Sequence, residues 1–195
     1  RERGATATEA ALIAPLFLAF LFGIAEASLY LLDANAVRNG ARIAAHEGAK
    51  SARDALADYN LLKASLGATS GMSNRIDGMI VFKVAKPGDL VPPACITALD
   101  NGQAGVDNVC NVYTAAQIKA LDPLHFGYTV GSNEDATLWD RKWPATGRRD
   151  ALSGTTRPDL LGVYVRVTHR SLTGVIPARR LSAWVVNEIE PQRAE

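Results

Sequence analysis

Residues that could carry out catalysis or bind a metal are few and scattered in this sequence. The three histidines, His46, His125 and His169, lie far apart, and none has a second His or a Cys at metal-ligand spacing. No Gly-x-Ser-x-Gly elbow, phosphate-binding loop or dinucleotide fingerprint occurs. The formal net charge of +1 gives no electrostatic basis for binding nucleic acid. We therefore expect no enzymatic activity, no metal or cofactor site and no nucleic-acid partner.

One loop offers an alternative metal chemistry. Asp100, Asn101, Asp107 and Asn108 stand in a glycine-containing stretch and could supply oxygen ligands to calcium. Their spacing does not match an EF-hand loop, and the same residue types are common in turns for reasons of backbone geometry. We favour the interpretation as turn residues.

The two cysteines, Cys95 and Cys110, lie in the same loop-like stretch. In an oxidising compartment they would close a short loop, which is worth ~3 kcal/mol in the chain-entropy model. In a reducing cytosol they would remain thiols. We predict the disulfide, because the N-terminus of the chain indicates a membrane anchor that places the rest of the protein outside the cytosol.

That anchor is an apolar run from Ala10 to Leu32, interrupted only by Glu26. At 1.5 Å of rise per residue, a helix of this length covers the ~30 Å hydrocarbon layer, so the run predicts one transmembrane helix in the lipid bilayer. Glu9 stands at its start and needs a partner, because an unpaired charge beside lipid is costly. Glu26 lies about 25 Å further along the helix. We expect it to reach the outer interface or to contribute to assembly.

The flanking charges predict the orientation of this span. Arg1 and Arg3 precede it, and positive charge favours the cytoplasmic side, so we expect a cytoplasmic N-terminus and an extracytoplasmic head. Arg38 and Arg42 beyond the span oppose this orientation. The small-x-small form of Ala25 to Ala27 allows a signal-peptidase site as an alternative.

Helical periodicity continues beyond the span to about residue 66. Small residues recur every four positions along it: Ala36, Gly40, Ala44, Gly48 and Ala52. Such a ridge lets another backbone approach closely. We expect packing between subunits for residues 10–40, and packing of the helix on its own sheet for residues 44–66. Gly40, Ala44 and Gly48 are accordingly candidate assembly residues, together with Glu9 and Glu26.

The remainder predicts a small antiparallel sheet. Residues 78–85, 162–169 and 181–189 are rich in β-branched residues or alternate between apolar and polar, which is typical of strands, and the last two form a hairpin. Between them lies a long loop insertion, 86–160, with one short helix at 115–121. The predicted fold is α+β, a long N-terminal helix packed on the sheet. Its segments are a leader (1–9), a transmembrane helix (10–32), a stalk helix (33–66) and a head (67–195).

The start of the chain, RGATATE, resembles the class III signal of type IV pilins, which prepilin peptidase cuts after a glycine so that glutamate becomes the fifth residue. Here the cut would follow Gly4, making Ala5 the first residue and Glu9 the fifth. The sequence through NAVRNGARIAAHEGA is similar to the TadE family of pseudopilins from tight-adherence (Flp) pili, with a Pro early in the span and an FGI-x-E cluster near its end. The tail LLGVYVRVTHRSLTGVIPARRLSAWVVNEIEP is similar to the closing strands of longer TadE-like proteins. Ala10 departs from the Phe of many relatives.

The resemblance implies a non-enzymatic pseudopilin or minor pilin with a pilin-like fold, located in the bacterial inner membrane or in a surface pilus. Its partners would be other pilin subunits, the inner-membrane assembly platform and prepilin peptidase. The amine of Ala5 on one subunit would neutralise Glu9 on its neighbour. An uncleaved chain would instead pair Glu9 with Arg1 or Arg3. Two alternatives are an unprocessed accessory subunit of another membrane complex and an anchored extracytoplasmic hydrolase.

Overall fold

A computed structural model of this chain describes residues 2–51, 53–129, 137–150, 157–174 and 177–190, with the backbone alone for residues 2–8 and 10. Arg1 of the predicted leader, Ala52 of the small-residue ridge and two parts of the predicted insertion lie outside the described residues. The elements in chain order are α1 (Glu2–Ser51), α2 (Ala57–Ala68), β1 (Ile76–Val84), α3 (Pro93–Asp100), β2 (Gly105–Val106), β3 (Cys110–Thr114), α4 (Ala115–Lys119), β4 (Leu160–His169) and β5 (Arg179–Glu188). The predicted α+β fold is confirmed.

The first half of α1 is long and apolar enough to cross a membrane, by length and composition. Its large apolar side chains are exposed, among them Leu12 at 79% and Phe20 at 65%. A soluble domain rarely leaves so large an apolar surface uncovered. Pro15 lies inside this segment and does not end the helix.

The helix predicted to continue to residue 66 is divided in two. α1 ends at Ser51, and the side chain of Asp54 accepts a hydrogen bond from the backbone N–H of Leu56 at 2.8 Å, which forms a local turn instead of another helical turn. α2 then runs back along α1. Helical spacing is preserved on both sides of the turn, which is why periodicity alone does not reveal the break.

The small-residue ridge of α1 packs inside this chain. A Cβ on Gly40 would lie 2.7 Å from Cγ2 of Thr69, and a Cβ on Gly48 would lie 3.0 Å from Cδ2 of Leu61. Ala44 is fully buried in the core between α1, α2 and the sheet. Packing of α1 on the head of its own chain therefore accounts for Gly40, Ala44 and Gly48. The predicted packing between subunits is not needed to explain these three small residues.

The sheet has the strand order β2-β3-β1-β4-β5, with every neighbouring pair antiparallel. The structure confirms the three predicted strands, as β1, β4 and β5, and the β4–β5 hairpin. The predicted loop insertion is more ordered than expected, since it supplies α3, β2, β3 and α4. β3 pairs with the central strand β1 over five residues, so the insertion belongs to the sheet itself.

The two faces of the sheet bury different partners. Val163, Val165 and Val167 face the core shared with α1 and α2, whereas Phe82 and Tyr164 face the second core, which α3 covers. This separation follows the two-residue period of a strand. The predicted disulfide is present between Cys95 of α3 and Cys110 of β3, and it ties α3 to the second face.

A buried polar network joins α2 to the insertion. Asp58 is fully buried, and it accepts hydrogen bonds from the Tyr113 hydroxyl at 2.6 Å, from Asn111 Nδ2 at 2.8 Å and from Arg148 Nη2 at 2.6 Å. Burial and the neighbouring Asp58 carboxylate raise the pKa of the Tyr113 hydroxyl well above its ordinary value. The Arg148 guanidinium also stacks on Trp143, 4.3 Å from the ring centre. The side chains of Asp58 and Arg148 are both fully buried, and a buried charge is tolerated only when an opposite charge and hydrogen bonds compensate it.

Gly162 of β4 provides a test of the packing on the second face. It pairs in register with Phe82, and a Cβ on Gly162 would lie 2.3 Å from Cζ of the Phe82 ring. We expect Gly162→Ala to lower the free energy of unfolding by ~1–3 kcal/mol, because the ring would have to leave its place. Urea unfolding of the full chain in detergent, followed by circular dichroism, measures this change.

Gly71→Ala is the matched control, since nothing lies within 4 Å of a Cβ built there. Its free energy of unfolding should stay within about 0.5 kcal/mol of the wild-type value, as for most surface substitutions. Equal stability of the Gly162→Ala variant and the wild type would contradict the packing described.

Candidate functional site

Four ionisable side chains meet where the apolar half of α1 joins the head. Glu26 and Asp33 come from α1, Arg75 from the 3-10 turn before β1, and His169 from the last position of β4. Glu26, Asp33 and His169 are 4%, 5% and 3% exposed, respectively. We call these four residues the junction cluster.

Asp33 is the centre of the junction cluster. Arg75 binds it with both guanidinium nitrogens, Nη1 to Oδ2 at 2.6 Å and Nη2 to Oδ1 at 3.1 Å. His169 Nδ1 lies 2.7 Å from the same Oδ2. A two-point contact between a guanidinium and a carboxylate is both strong and directional, so it fixes the orientation of the Asp33 side chain.

Glu26 extends the cluster toward the apolar half of α1. Its Oε2 accepts a hydrogen bond from the backbone N–H of Leu172 at 2.9 Å, and its Oε1 lies 3.6 Å from His169 Nε2. The ring of Tyr30 meets the His169 ring edge-on, with 5.4 Å between centres. Glu26 is not solvated, because the head covers this carboxylate and the Leu172 amide donates to it.

The arrangement is suited to joining elements and carries no recognisable catalytic geometry. Two carboxylates of one helix are held by a guanidinium, an imidazole and a backbone amide of the head. Removing one partner from such a buried pair costs ~3–5 kcal/mol, because the other charge remains buried without compensation. The junction cluster therefore sets how the head sits on the helix.

Two sequence signals point to this cluster. Glu26 and Asp33 are seven residues apart, two helical turns, so they lie on the same face of α1. His169 continues the alternation of Val163, Val165 and Val167, which places it on the face of the sheet that α1 covers. Arg75 has no comparable signal, since it stands in a turn.

The other predicted site residues lie apart from the junction cluster. Gly4 and Ala5 fall in the first turns of α1, and Glu9 is exposed. Among the side chains that the structure describes, none forms a hydrogen bond or ion pair with Glu9. The assembly and processing roles predicted for these residues remain predictions.

The loop weighed as a calcium site has its carboxylates paired with cations. Asp100 receives a hydrogen bond from Arg166 Nη1 at 2.6 Å, and Asp107 pairs with Lys142 at 2.9 Å. Of the remaining histidines, His46 is exposed and His125 stacks on Trp139, with 4.2 Å between ring centres. Across residues 2–190, apart from the stretches left undescribed, no group of three or more His, Cys, Asp or Glu could hold a metal ion.

The comparison with known protein families found a match within α1. The model of the TadE family, described as TadE-like protein, matches residues 4–46. The N-terminal helix of this chain is TadE-like. The match confirms the resemblance of the N-terminal region to the TadE family. Among the described residues, this helix is the one long and apolar enough to cross a membrane, and its apolar half is exposed.

The chain is also similar to part of a protein from Chlamydia psittaci, the virulence plasmid protein pGP3-D. The two are 29% identical over 86 residues, which cover 44% of this chain and 30% of that protein. The chain thus spans less than a third of the length of this relative. No solved structure matches the chain.

The hydrogen bond between Glu26 and Leu172 makes the junction testable. In the Glu26→Ala variant, we expect the Leu172 amide to exchange its hydrogen about tenfold faster or more, since a hydrogen bond to a charged group contributes ~1.5–3 kcal/mol. Hydrogen exchange of the full chain in detergent, followed by mass spectrometry, measures this rate.

Glu47→Ala is the control, because Glu47 is a half-buried carboxylate of the same helix, outside the junction cluster. It should leave exchange at Leu172 unchanged, and amides of the central strand β1 should stay protected in both variants. The same exchange rate at Leu172 in the wild type and in Glu26→Ala would show that this contact does not hold the hairpin.

Proposed function

We propose that the chain is a pseudopilin or minor pilin that takes part in assembly of a tight-adherence type IV pilus. The observation that carries this proposal is the uncovered apolar half of α1, which is TadE-like and has Glu9 at its start. The head covers Glu26 and the part of α1 from Asp33 onward, but it leaves the large apolar side chains before Asp33 exposed. A surface of this kind is available to lipid and to the helices of other subunits.

Glu9 supports assembly over simple anchoring. A charged side chain at the centre of a membrane helix costs ~2.5–3.5 kcal/mol on insertion scales, and the cost is lower near the headgroups. The head cannot offset it, because the junction cluster is about 25 Å away along the helix. After cleavage behind Gly4, the new amine of Ala5 on one subunit would pair with Glu9 on the next and fix their axial offset.

The disulfide supports the predicted orientation. Disulfides persist in oxidising compartments and are rare in the cytosol. The Cys95–Cys110 bond lies in the head, on the face of the sheet opposite α1. A cytoplasmic N-terminus with the head outside the inner membrane agrees with both the disulfide and Arg3. The proposed partners are other pilin subunits, the inner-membrane platform, prepilin peptidase and the lipid bilayer.

The principal alternative is an unprocessed accessory subunit that uses the same helix as a static anchor. In that case Glu9 would pair with Arg1 or Arg3 of its own chain and would not be required for contacts between subunits. An anchored hydrolase is a third possibility, which no geometry among the described residues favours.

Replacement of Glu9 distinguishes the first two functions. We expect Glu9→Ala to leave membrane insertion and head folding intact, since it removes a charge from an apolar helix. It should lower the recovery of partner subunits about tenfold, because the loss of an ion pair between helices would cost at least ~1.4 kcal/mol. Co-purification from native membranes in mild detergent measures the recovery.

Glu9→Asp retains the charge and should restore most of the recovery. Glu47→Ala removes a carboxylate from the same helix inside the head and should have no effect, whereas Glu26 is unsuitable as a control because it holds the β4–β5 hairpin. Equal partner recovery for wild type and Glu9→Ala would overturn the assembly role and favour the static anchor.

A further inference from the structure

The hairpin between β4 and β5 points toward the apolar half of α1. Leu161, at the start of β4, packs near Gly48, whereas His169, at its end, reaches Asp33 and Glu26. β4 therefore runs along α1 toward its N-terminus. The residues that follow β4, Arg170 to Gly174, lie at the end of the head nearest the apolar span, and we call them the hairpin tip.

The hairpin tip is held at a defined height on the helix. The backbone N–H of Leu172 donates to Glu26, while its side chain remains 65% exposed. Phe22, one turn before Glu26, is 52% exposed. Leu172 is thus an exposed apolar side chain next to Glu26, in a region where the apolar side chains of α1 are exposed as well.

This height coincides with the expected edge of the bilayer. A hydrocarbon layer of ~30 Å spans about 20 helical residues, so a layer that begins just after Glu9 ends close to residue 29, within the last turn of the predicted span 10–32. Glu26, at about 25 Å from Glu9, falls within the last turn of that layer. The contacts of the junction cluster explain how the Glu26 carboxylate is tolerated at this edge of the bilayer. The hydrogen bond to Glu26 also places Leu172 at the depth of Glu26.

The charge around the hairpin tip is positive. Arg170 of the hairpin tip and Arg179 at the start of β5 are exposed. The Arg180 side chain is 70% exposed and reaches Asp100 only at 4.0 Å. The nearby carboxylates have closer partners: Glu26 and Asp33 in the junction cluster, Asp77 with Thr168, and Asp100 with Arg166. Arginines near a membrane surface are attracted by anionic headgroups.

From these contacts we propose that the hairpin tip is a lipid-contact site, in which Leu172 enters the interfacial layer and the three arginines bind the phosphates of anionic lipids. The inference rests on the proposed membrane span. It gives the head a second attachment to the bilayer beside the helix, and it restricts the tilt of the head on the membrane.

Spin labelling of single cysteines tests the depth of Leu172. The full chain is placed in nanodiscs of phosphatidylcholine and phosphatidylglycerol, and Leu172→Cys, Leu90→Cys and Leu18→Cys are labelled separately. The native cysteines are joined in a disulfide and do not react. Leu90 is the matched control because it is 70% exposed and lies after the C-terminal end of β1. That end of β1 pairs with the start of β4, so it is at the end of the sheet away from the hairpin tip. Leu18 reports on the span itself.

The expected result is that the label at residue 172 collides several-fold less with a water-soluble nickel complex than the label at residue 90, and more with oxygen. Equal collision rates at residues 172 and 90, with residue 18 immersed, would overturn the lipid-contact site and leave the span intact. A water-accessible label at residue 18 would overturn both.

The lipids retained on the purified protein test the arginines. In the R170Q/R179Q/R180Q variant, the ratio of phosphatidylglycerol to phosphatidylcholine should fall several-fold toward that of the nanodisc as a whole. The control variant, K86Q/K119Q/R157Q, carries the same loss of charge at exposed positions elsewhere on the head and should keep the wild-type ratio. An unchanged ratio in the hairpin variant would remove anionic lipid as its ligand.

Discussion

The desolvation of Glu26 is the constraint on which the junction between helix and head depends. A carboxylate that is 4% exposed on an otherwise apolar helix needs a hydrogen-bond donor beside it, and the backbone N–H of Leu172 in the β4–β5 hairpin supplies one to Oε2. Asp33, two turns further along, is held by Arg75 and His169 in the same way. Because these carboxylates belong to α1 and their partners to the head, the position of the head along the helix is fixed.

The two halves of α1 lie in different environments, and their side chains differ in size and exposure. Before Glu26 the apolar residues are large and exposed, which suits lipid or neighbouring helices. Beyond Asp33 the inward residues are small, and Gly40 and Gly48 allow α2 and β4 to approach the α1 backbone closely. The cost of glycine in a helix, ~1 kcal/mol relative to alanine, is offset here by packing. The small-residue ridge is therefore a property of the head, whereas assembly is proposed for the segment before it.

Local patterns were sufficient to predict the long helix, the strands β1, β4 and β5, their hairpin and the disulfide, because each depends on the period of hydrophobicity or on residue type within a short stretch. β3 was missed because its five residues stand within a stretch rich in glycine, proline and polar turns. The end of α1 was missed because a single side chain, Asp54, makes the turn without disturbing the helical period.

The candidate site was harder to predict than the fold, since its contacts join residues far apart in sequence. Glu26 and Leu172 are separated by 146 positions, and Arg75 meets Asp33 across 42. The sequence predicted that Glu26 reaches the outer interface or contributes to assembly, and not that a strand of the head covers it. Its seven-residue spacing from Asp33 places both carboxylates on one face of the helix, but this spacing does not identify the strand that supplies the donor. The strand that supplies the donor is known only from the position of β4 along α1 in the folded structure.

Sequencing the N-terminus of the protein from its native membranes tests pilin-type processing and assembly most directly. Ala5 should be the first residue when prepilin peptidase is active, and Gly4→Val should retain the segment through position 4, since the cut follows this glycine in the resembling pilin signal. An N-terminus that still contains Arg1 to Gly4, in membranes where the peptidase processes another pilin, would contradict the proposed function and leave a static membrane anchor.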